Sequence, residues 1–210
     1  MNLAVIGGNG KMGQLIIKEA LNRGHQVTSF VRQEGETLAK VRVVNKDLFD
    51  LTLEDVKDFE VIVNAFGVWK PEDVALFPKA AKQLSDLLSG KQTRLLVIGS
   101  AGSLYVDPEQ TTRFIDTPDM PDFAIPVATE QAKALDHLYT REDVRWTYLS
   151  PPVDFRPDGP QTGTYQLAGD VLTLSRAGET QISYADAAFA VVDEIENGRY
   201  IQQRFSVVAL

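Results

Sequence analysis

The sequence contains no cysteine and two histidines, His25 and His137. The lack of cysteine excludes disulfide bonds, thiolate metal sites and a cysteine nucleophile, and it is typical of proteins from reducing compartments. Two histidines far apart in the chain argue against a histidine-based metal site. We therefore expect chemistry that depends neither on a metal ion nor on a thiolate.

The sequence also lacks long apolar runs and clusters of basic residues. No apolar stretch approaches the roughly 20 residues of a membrane-spanning helix, and Leu3–Ile6 is predicted to be a first strand, not part of a signal peptide. The net charge is −8, which disfavours contact with nucleic-acid phosphates and anionic membranes. We expect a cytoplasmic protein with no membrane or nucleic-acid partner.

Short segments rich in Val, Ile and Leu alternate with helical patterns along most of the chain. Such segments suit strands buried on both faces of a parallel sheet, and the alternation indicates βαβ units. The predicted strands are Leu3–Ile6, Gln26–Val31, Val41–Asn45, Val61–Asn64, Arg94–Ile98 and Trp146–Leu149. The predicted helices are Met12–Arg23, Pro71–Ser89 and Ile125–Thr140. We expect one α/β domain over residues 1–210, with a Rossmann-like doubly wound parallel sheet.

The character of the sequence changes at Pro151, after which loop-forming residues become frequent. Residues 151–183 are predicted to form a small lobe on the substrate side, with a hairpin made by Thr164–Leu167 and Val171–Leu174. The elements predicted after this lobe are a helix with a capping box at Ser183 and Asp186 that ends at Gly198, and a last strand, Phe205–Ala209.

A glycine-rich turn, Gly7-Gly8-Asn9-Gly10-Lys11-Met12-Gly13, joins the first predicted strand directly to the first predicted helix. In such a turn Gly7 permits the tight bend, Gly10 lets the backbone approach a diphosphate, and Gly13 lets the helix pack closely. The helix N-terminus then offers free N–H groups and a partial positive charge to the phosphates. We expect the turn to bind an NAD(P) cofactor; an ordinary strand–helix turn without a ligand is the alternative.

The nucleotide preference depends on the residue that follows the second predicted strand. Folds specific for NAD usually place an acidic residue there to bind the ribose 2′-OH, whereas this sequence has Arg32. A guanidinium at this position would pair with a 2′-phosphate, which favours NADP(H) over NAD(H); a solvated surface arginine is the alternative. Asp47 and Leu48 follow the third predicted strand, where a carboxylate and an apolar side chain could meet the adenine.

In open parallel sheets the ligand lies beyond the carboxyl ends of the strands. Three further predicted strand ends therefore belong to the expected cofactor site, and small residues at two of them would let the cofactor pass close to the backbone. The residues at these ends are Ala65, Phe66, Gly67, Gly99, Pro151, Pro152 and Val153. The long loop over residues 102–122 is expected to cover the substrate with aromatic and apolar side chains, or to pack down on itself.

Several of these segments resemble one atypical group of short-chain dehydrogenases/reductases. The chain is similar to the NmrA-like NAD(P)H-binding proteins, in the branch of the NADH-flavin reductases, and in general plan to the biliverdin reductase B type. The resemblance extends over nearly the whole chain. The segments that carry it are Ala4–Gly13, Phe30–Arg32, Ile98–Ser100, Ala132-Lys133, Trp146–Pro151 and residues 163–183.

The resemblance implies catalytic roles for specific positions. Ser100 takes the place of the serine that positions the substrate, and Lys133 takes the place of the lysine that binds the ribose. The tyrosine of the Y-x-x-x-K pattern falls on Thr129, whose hydroxyl is a far weaker acid than a phenol of pKa about 10. This departure puts ordinary alcohol dehydrogenation in doubt. It suits hydride transfer to an acceptor such as a flavin, whose proton can come from solvent.

The sequence leaves two functions open. The first is an NAD(P)H-dependent oxidoreductase that prefers NADPH and reduces a flavin, a quinone or a similar small acceptor. The second is a non-catalytic NAD(P)-binding redox sensor of the NmrA-like type, which the missing tyrosine also fits. An epimerase or dehydratase is disfavoured because its chemistry needs a strong acid–base pair. His137 and Tyr105 could be proton donors, or else an exposed helix histidine and a tyrosine that packs its loop. Lys133 could be an ordinary surface lysine and Ser100 a turn residue. The protein is expected to be a monomer or a homodimer.

Overall fold

Strands and helices alternate through the computed structural model, which describes residues 1–33 and 40–210. The strands are β1 (Asn2–Ile6), β2 (Gln26–Val31), β3 (Arg42–Asn45), β4 (Val61–Asn64), β5 (Arg94–Ile98), β6 (Arg145–Ser150), β7 (Asp154–Arg156), β8 (Gln166–Ala168), β9 (Gln181–Ser183) and β10 (Gln203–Val208). The helices are α1 (Lys11–Asn22), α2 (Leu53–Val56), α3 (Leu76–Leu87), α4 (Ile125–Tyr139) and α5 (Tyr184–Asn197). None of the helices in the described ranges has both the length and the apolar character needed to cross a membrane.

The central sheet has eight strands in the order β3-β2-β1-β4-β5-β6-β10-β8. Every neighbouring pair from β3 to β10 is parallel, and the edge strand β8 is antiparallel to β10. The chain first adds β2 and β3 on one side of β1 and then adds the later strands on the other side. This is the doubly wound arrangement, so the predicted Rossmann-like fold is confirmed. The reversal of strand order leaves a crevice at the carboxyl ends of β1 and β4, where such sheets bind ligands.

Layers of helices cover both faces of the sheet. Leu3 and Val5 of β1 pack in a cluster with residues of α1 and α5, whereas Ala4 and Ile6 pack on the other face with residues of α3 and α4. Burial on both faces explains why these strands are continuous apolar runs in the sequence. The sheet is thereby a rigid base that fixes where each strand end lies.

Two sequence predictions about secondary structure are wrong. The hairpin predicted from Thr164–Leu167 and Val171–Leu174 does not form: β8 joins the edge of the main sheet beside β10, and Val171 makes an isolated bridge with Tyr105. The free backbone groups at the edge of β10 compete successfully for this segment, and that pairing spans many residues, so a local pattern cannot show it. The helix predicted to begin at Pro71 begins at Leu76, after a series of turns.

Asp186 connects the last helix to the loop that follows β7. The hydroxyl of Ser183 caps α5, as predicted, because it accepts a hydrogen bond from the backbone N–H of Asp186 at 2.9 Å. The carboxylate of Asp186 accepts hydrogen bonds from the backbone N–H groups of Thr162 and Gly163, both at 2.8 Å. This buried carboxylate therefore fixes the end of the loop that follows β7 against the start of α5.

Candidate functional site

The glycine turn between β1 and α1 is shaped by the protein's own packing at three positions. Gly7 has a φ of 78°, and a Cβ there would lie 2.8 Å from the carbonyl oxygen of Ala65. A Cβ on Gly8 would meet the Ser29 hydroxyl at 1.9 Å, and one on Gly13 would meet the Gly7 carbonyl oxygen at 2.4 Å. Gly7 and Gly13 would meet backbone atoms far inside van der Waals contact and therefore require glycine, whereas a side chain at Gly8 would first have to displace the side chain of Ser29.

Gly10 differs from the other glycines of the turn because a Cβ there would make a single tight contact. Among the described residues, a Cβ there would meet the Gly7 carbonyl oxygen at 3.2 Å and no other atom within 4 Å. Gly10 is the N-cap of α1; no side chain caps this helix, and its first turn has no acidic residue. The N–H groups at this end of α1 are therefore available to an anion, which the helix dipole attracts.

Three predicted cofactor ligands lie around this turn. The side-chain amide of Asn9 donates to the carbonyl oxygen of Gln33 at 2.8 Å, which ties the turn to the segment after β2. Arg32 lies in that segment, directly after β2, and its side chain is exposed. Lys11 Nζ is 3.0 Å from the carboxylate of Asp158, in the loop after β7. The glycine turn is thus in contact both with the end of β2 and with the loop after β7.

Asp47 and Leu48, predicted to meet the adenine, both have partners within the protein. The Asp47 carboxylate accepts a hydrogen bond from the backbone N–H of Phe49 at 2.9 Å, and the Leu48 side chain is buried in the core. The ring of Phe49 is partly exposed and lies 6.4 Å from the ring of Phe66, edge to face. The apolar surface after β3 therefore belongs to Phe49 and not to Leu48.

A cavity of about 380 Å³ opens at the carboxyl ends of β4, β5 and β6, beside the start of α1. It brings together most of the predicted site residues that lie beyond the glycine turn. Those on its wall are Ala65, Phe66, Gly67, Gly99, Ser100, Pro151, Pro152 and Val153, and Met12 of the turn itself also borders it. The wall is mostly apolar, which is typical of sites for small molecules. A larger cleft, of about 740 Å³, lies near the C-terminus of α1 and contains none of the predicted site residues.

Two buried polar atoms on the cavity wall have no hydrogen-bond partner among the described residues. They are Ser100 Oγ, just after β5, and Gln131 Oε1, on α4. Buried polar groups are nearly always hydrogen-bonded, so such atoms mark positions where a ligand can supply the partner. Gln131 is absent from the sequence predictions. The feature that could have indicated it in the sequence is a long polar side chain among the alanines of one helix, Ala128, Ala132 and Ala134, which are buried.

Lys133 and Thr129 do not lie on the cavity wall. The residues that α4 contributes to it are Val127, Ala128 and Gln131. Lys133 is exposed, and its Nζ is 2.5 Å from the carboxylate of Glu130. Two residues along an α-helix rotate a side chain by about 200°, so Lys133 points away from the cavity when Gln131 points into it. The four-residue spacing of Y-x-x-x-K is therefore met by Val127 and Gln131, and this geometry does not support the roles predicted for Lys133.

His137 and Tyr105 also lie away from the cavity wall. His137 Nε2 is 3.0 Å from Ser85 Oγ, between α4 and α3, and burial together with the nearby Arg141 lowers the pKa of His137. The ring of Tyr105 lies 5.7 Å from the guanidinium of Arg204. Neither position supports the alternative of a proton donor at the cavity.

The long loop over residues 102–122 packs down on itself and also forms part of the cavity wall. Leu104 and Ile115 belong to a small separate cluster of apolar residues. Phe114 and Met120 belong to the same cluster and also border the cavity, as does Phe123 just beyond the loop. Both expectations for this loop therefore apply, each to different side chains.

Two aromatic side chains from the C-terminal part of the chain complete the wall. The rings of Phe155 in β7 and Tyr184 at the start of α5 lie 3.9 Å apart and both border the cavity. Burial raises the pKa of Tyr184, and the positive charge of Lys11 acts in the opposite direction. Sequence reasoning missed both residues because neither lies at a predicted strand end. The signal for Tyr184 was its position directly after the predicted cap, Ser183.

Known proteins match this chain over nearly its whole length, which includes the segments of both the sheet and the cavity. A sequence profile of the NAD(P)H-binding family matches residues 7–198. The Bacillus subtilis protein YwnB is 43% identical over 211 aligned positions, which span 100% of this chain and 99% of that protein. A Streptococcus pneumoniae protein described as a "putative NADH-flavin reductase" is 47% identical over 100% of both chains, with a TM-score of 0.97. A Bacteroides thetaiotaomicron protein described as a "putative epimerase" is 29% identical over 100% of this chain and 97% of that one, with a TM-score of 0.86.

Proposed function

The chain belongs to the NAD(P)H-binding family, and on that premise we propose that it is a reductase that prefers NADPH and reduces a flavin, a quinone or a similar small acceptor. The observation that carries this proposal is the uncapped N-terminus of α1, which follows the glycine turn directly and has no acidic residue in its first turn. The protein's own packing excludes a side chain at Gly7 and Gly13, whereas a Cβ at Gly10, the N-cap of α1, would make a single tight contact, 3.2 Å from the Gly7 carbonyl oxygen. A diphosphate is the ligand that this arrangement fits.

A bound nicotinamide cofactor supplies the hydride, and the protein's residues supply binding and orientation. The turn would hold the diphosphate, and the small residues Ala65 and Gly67 leave room at the end of β4. The Ser100 hydroxyl and Gln131 Oε1 would each bond a polar group of a ligand in the cavity. The surrounding apolar wall excludes water from the place where the two reactants meet.

The preference for NADPH rests on Arg32. Its exposed guanidinium follows β2 at the same edge of the sheet as the glycine turn, and the Asn9–Gln33 hydrogen bond holds the two segments together. A 2′-phosphate would form a charge-assisted hydrogen bond with this guanidinium. Lys11 can contribute as well, because its ion pair with Asp158 is exposed and therefore weak.

The cavity has no strong acid–base pair on α4, where Val127 and Gln131 occupy the four-residue spacing. Of the described residues on the wall, Asp154 and Tyr184 are the ionisable ones, and Asp154 is paired with Arg156. Reduction of a flavin-like acceptor tolerates this arrangement, because solvent can supply the proton. Epimerisation does not, because both of its routes, proton abstraction at carbon and reversible oxidation of an alcohol, need a positioned acid–base group, so we do not extend the epimerase description to this chain.

The test follows NADPH absorbance with the purified protein and a panel of flavins and small quinones. We expect saturable turnover with at least one acceptor. Gly10→Leu is expected to weaken NADPH binding by at least about tenfold, because its side chain would occupy the diphosphate site, and binding is measured under conditions where the unfolding curve shows the variant to be fully folded. Gly169→Leu is the matched control, because no atom of the described residues lies within 4 Å of a Cβ at Gly169.

A second experiment tests the nucleotide preference. Arg32→Asp is expected to remove most of the preference for NADPH over NADH, because it replaces the partner of the 2′-phosphate with a like charge. Arg145→Asp makes the same change in charge at the opposite edge of the sheet, where β6 begins, and should leave the preference intact. A parent protein that binds both nucleotides equally would contradict the role of Arg32.

A redox sensor is the second candidate, and the absence of an acid–base pair on the cavity face of α4 favours it. Such a protein would bind NADP(H) as tightly as a reductase does, because the glycine turn and Arg32 are unchanged. Tight binding with no turnover across the acceptor panel would support the sensor and count against the reductase.

A further inference from the structure

Large apolar side chains at the mouth of the cavity are exposed to solvent. Trp69 is 70% exposed, Phe123 is 78% exposed and Val153 is 38% exposed, and all three belong to the cavity wall. Phe114 and Met120 are buried on the same wall. Exposed aromatic residues that border a cavity of this kind form a surface on which a ligand ring can be buried. We call Trp69, Phe123 and Val153 the apolar rim.

Among the described residues, the cavity wall has no cationic side chain to pair with a negative charge. Of the described residues on its wall, the one charged side chain is Asp154, and its carboxylate already pairs with Arg156 at 2.6 Å. Lys11 and Lys133 pair with other carboxylates, and neither they nor Lys70, which follows Trp69 in the sequence, are part of the wall. A phosphate or carboxylate drawn into this space would lose its water without gaining a cation, which is strongly unfavourable.

The charge of the whole chain acts in the same direction. The net charge is −8, so the field around the protein opposes the approach of anions. The cofactor is the exception, because the N-terminus of α1, at the edge of the cavity, and Arg32, which is not part of its wall, provide for its phosphates. An acceptor has no such provision within the cavity.

We propose that the apolar rim binds the face of an uncharged, planar aromatic acceptor, and that the cavity rejects acceptors that carry an anionic group next to the ring. The inference rests on the proposed function, because it names the class of acceptor that the reductase takes. The ring stacks on Trp69 and Phe123, and burial of its faces provides the affinity.

Tryptophan fluorescence gives a test that does not depend on turnover. The chain has two tryptophans: Trp69 on the rim and Trp146, which is 2% exposed in the core. The full-length protein is titrated with lumiflavin and with carboxymethylflavin, which share one ring system and differ by a carboxylate beside it. Each titration is done with and without saturating NADP⁺, and at low and high salt. We expect lumiflavin to quench Trp69 and carboxymethylflavin to bind roughly tenfold more weakly or worse, with most of the difference remaining at high salt.

Two charge variants distinguish the effect of the cavity wall on anion binding from the effect of the protein's overall negative charge. Val153→Lys places a cation on the rim and is expected to bring the affinity for carboxymethylflavin close to that for lumiflavin. Leu174→Lys adds the same charge at an exposed apolar residue that is not part of the cavity wall. This variant should keep most of the difference in affinity between the two flavins. Trp69→Phe should abolish the quenching signal, and binding measured by flavin fluorescence should persist.

Equal or tighter binding of carboxymethylflavin to the parent protein would overturn this inference, and so would the failure of both flavins to bind. NADPH binding, measured separately, reports on the proposed function. A parent that binds NADPH but shows no selection against the carboxylate refutes the inference alone. A parent that selects lumiflavin but binds no NADPH refutes the reductase and leaves the selective ring site standing.

Discussion

The phenol of Tyr148 occupies the space that a side chain at Gly99 would need. A Cβ on Gly99 would lie 2.1 Å from the hydroxyl oxygen of Tyr148 and from two carbons of its ring. The Tyr148 side chain is wholly buried, its hydroxyl donates to the backbone oxygen of Gln131 at 3.1 Å, and burial raises the pKa of this phenol. Gly99 is therefore required by the core beneath the cavity as well as bordering the cavity itself.

Gly99→Ala is expected to lower the free energy of unfolding by about 1–3 kcal/mol, because the ring of Tyr148 cannot move aside in a closely packed core. Urea denaturation gives the value. Gly67→Ala is the control: Gly67 also borders the cavity, but no atom lies within 4 Å of its Cβ position among the described residues. Equal stability of the two variants would show that the Tyr148 contact is not a constraint.

Gln131→Leu is expected to weaken ligand binding or turnover without lowering the stability of the protein. The substitution removes a buried acceptor that has no partner, so the free energy of unfolding should stay the same or rise. Binding or turnover of the NADPH-dependent reaction should fall about three- to tenfold, because one hydrogen bond to a ligand is lost. Lys133→Leu, the same change two residues further along α4, should leave both nearly unaltered. A larger loss of activity in the lysine variant would contradict the orientation of α4 described above.

We expect the buried ion pair between Arg94 and Glu194 to affect stability mainly through the free energy of unfolding that is lost when one partner is removed. Both side chains are almost fully buried, and Glu194 also accepts a hydrogen bond from the backbone N–H of Tyr200 at 2.8 Å. Arg94→Met should lower the free energy of unfolding by about 3–5 kcal/mol, because an unpaired carboxylate remains buried. The free energy of unfolding should fall less in the double variant Arg94→Met, Glu194→Met than in Arg94→Met alone.

An exposed pair provides the comparison for that measurement. Lys82 and Asp86 lie one turn apart on α3 with both side chains largely in solvent. Lys82→Met should change the free energy of unfolding by no more than about 0.5 kcal/mol. A similar effect at both sites would mean that burial does not set the cost at Arg94.

His137 is expected to make stability depend on pH. Burial, together with Arg141, lowers its pKa in the folded protein, so the unfolded chain binds a proton at a higher pH than the folded chain does. The free energy of unfolding should therefore fall as the pH decreases below the unfolded value of about 6.5, until the folded pKa is passed. Urea midpoints between about pH 5 and pH 7.5 measure this slope, and His137→Gln should reduce it. An unchanged slope in the variant would exclude His137 as its source.

The sequence was sufficient for features that depend on residues close together along the chain. Apolar runs that alternate with helical patterns predicted the doubly wound sheet, and a strand, a glycine turn and a helix in direct succession predicted the geometry around Gly10. The strand ends that line the cavity could also be predicted, because parallel strands must end at one edge of the sheet. Each of these conclusions needs only local periodicity and the rule for where ligands bind.

Contacts between distant segments decided the rest. The cavity face of α4 carries Gln131 and not Lys133 because the rotation of this helix is set by packing. A Cβ on Gly102 would lie 2.7 Å from the Cβ of Ala128, so the segment after β5 and α4 are in close contact at that point. The pairing of β8 with β10 and the position of Tyr148 under Gly99 have the same origin. A one-dimensional pattern determines which residues share a helix face or a strand, but only the packed structure determines what that face or strand meets.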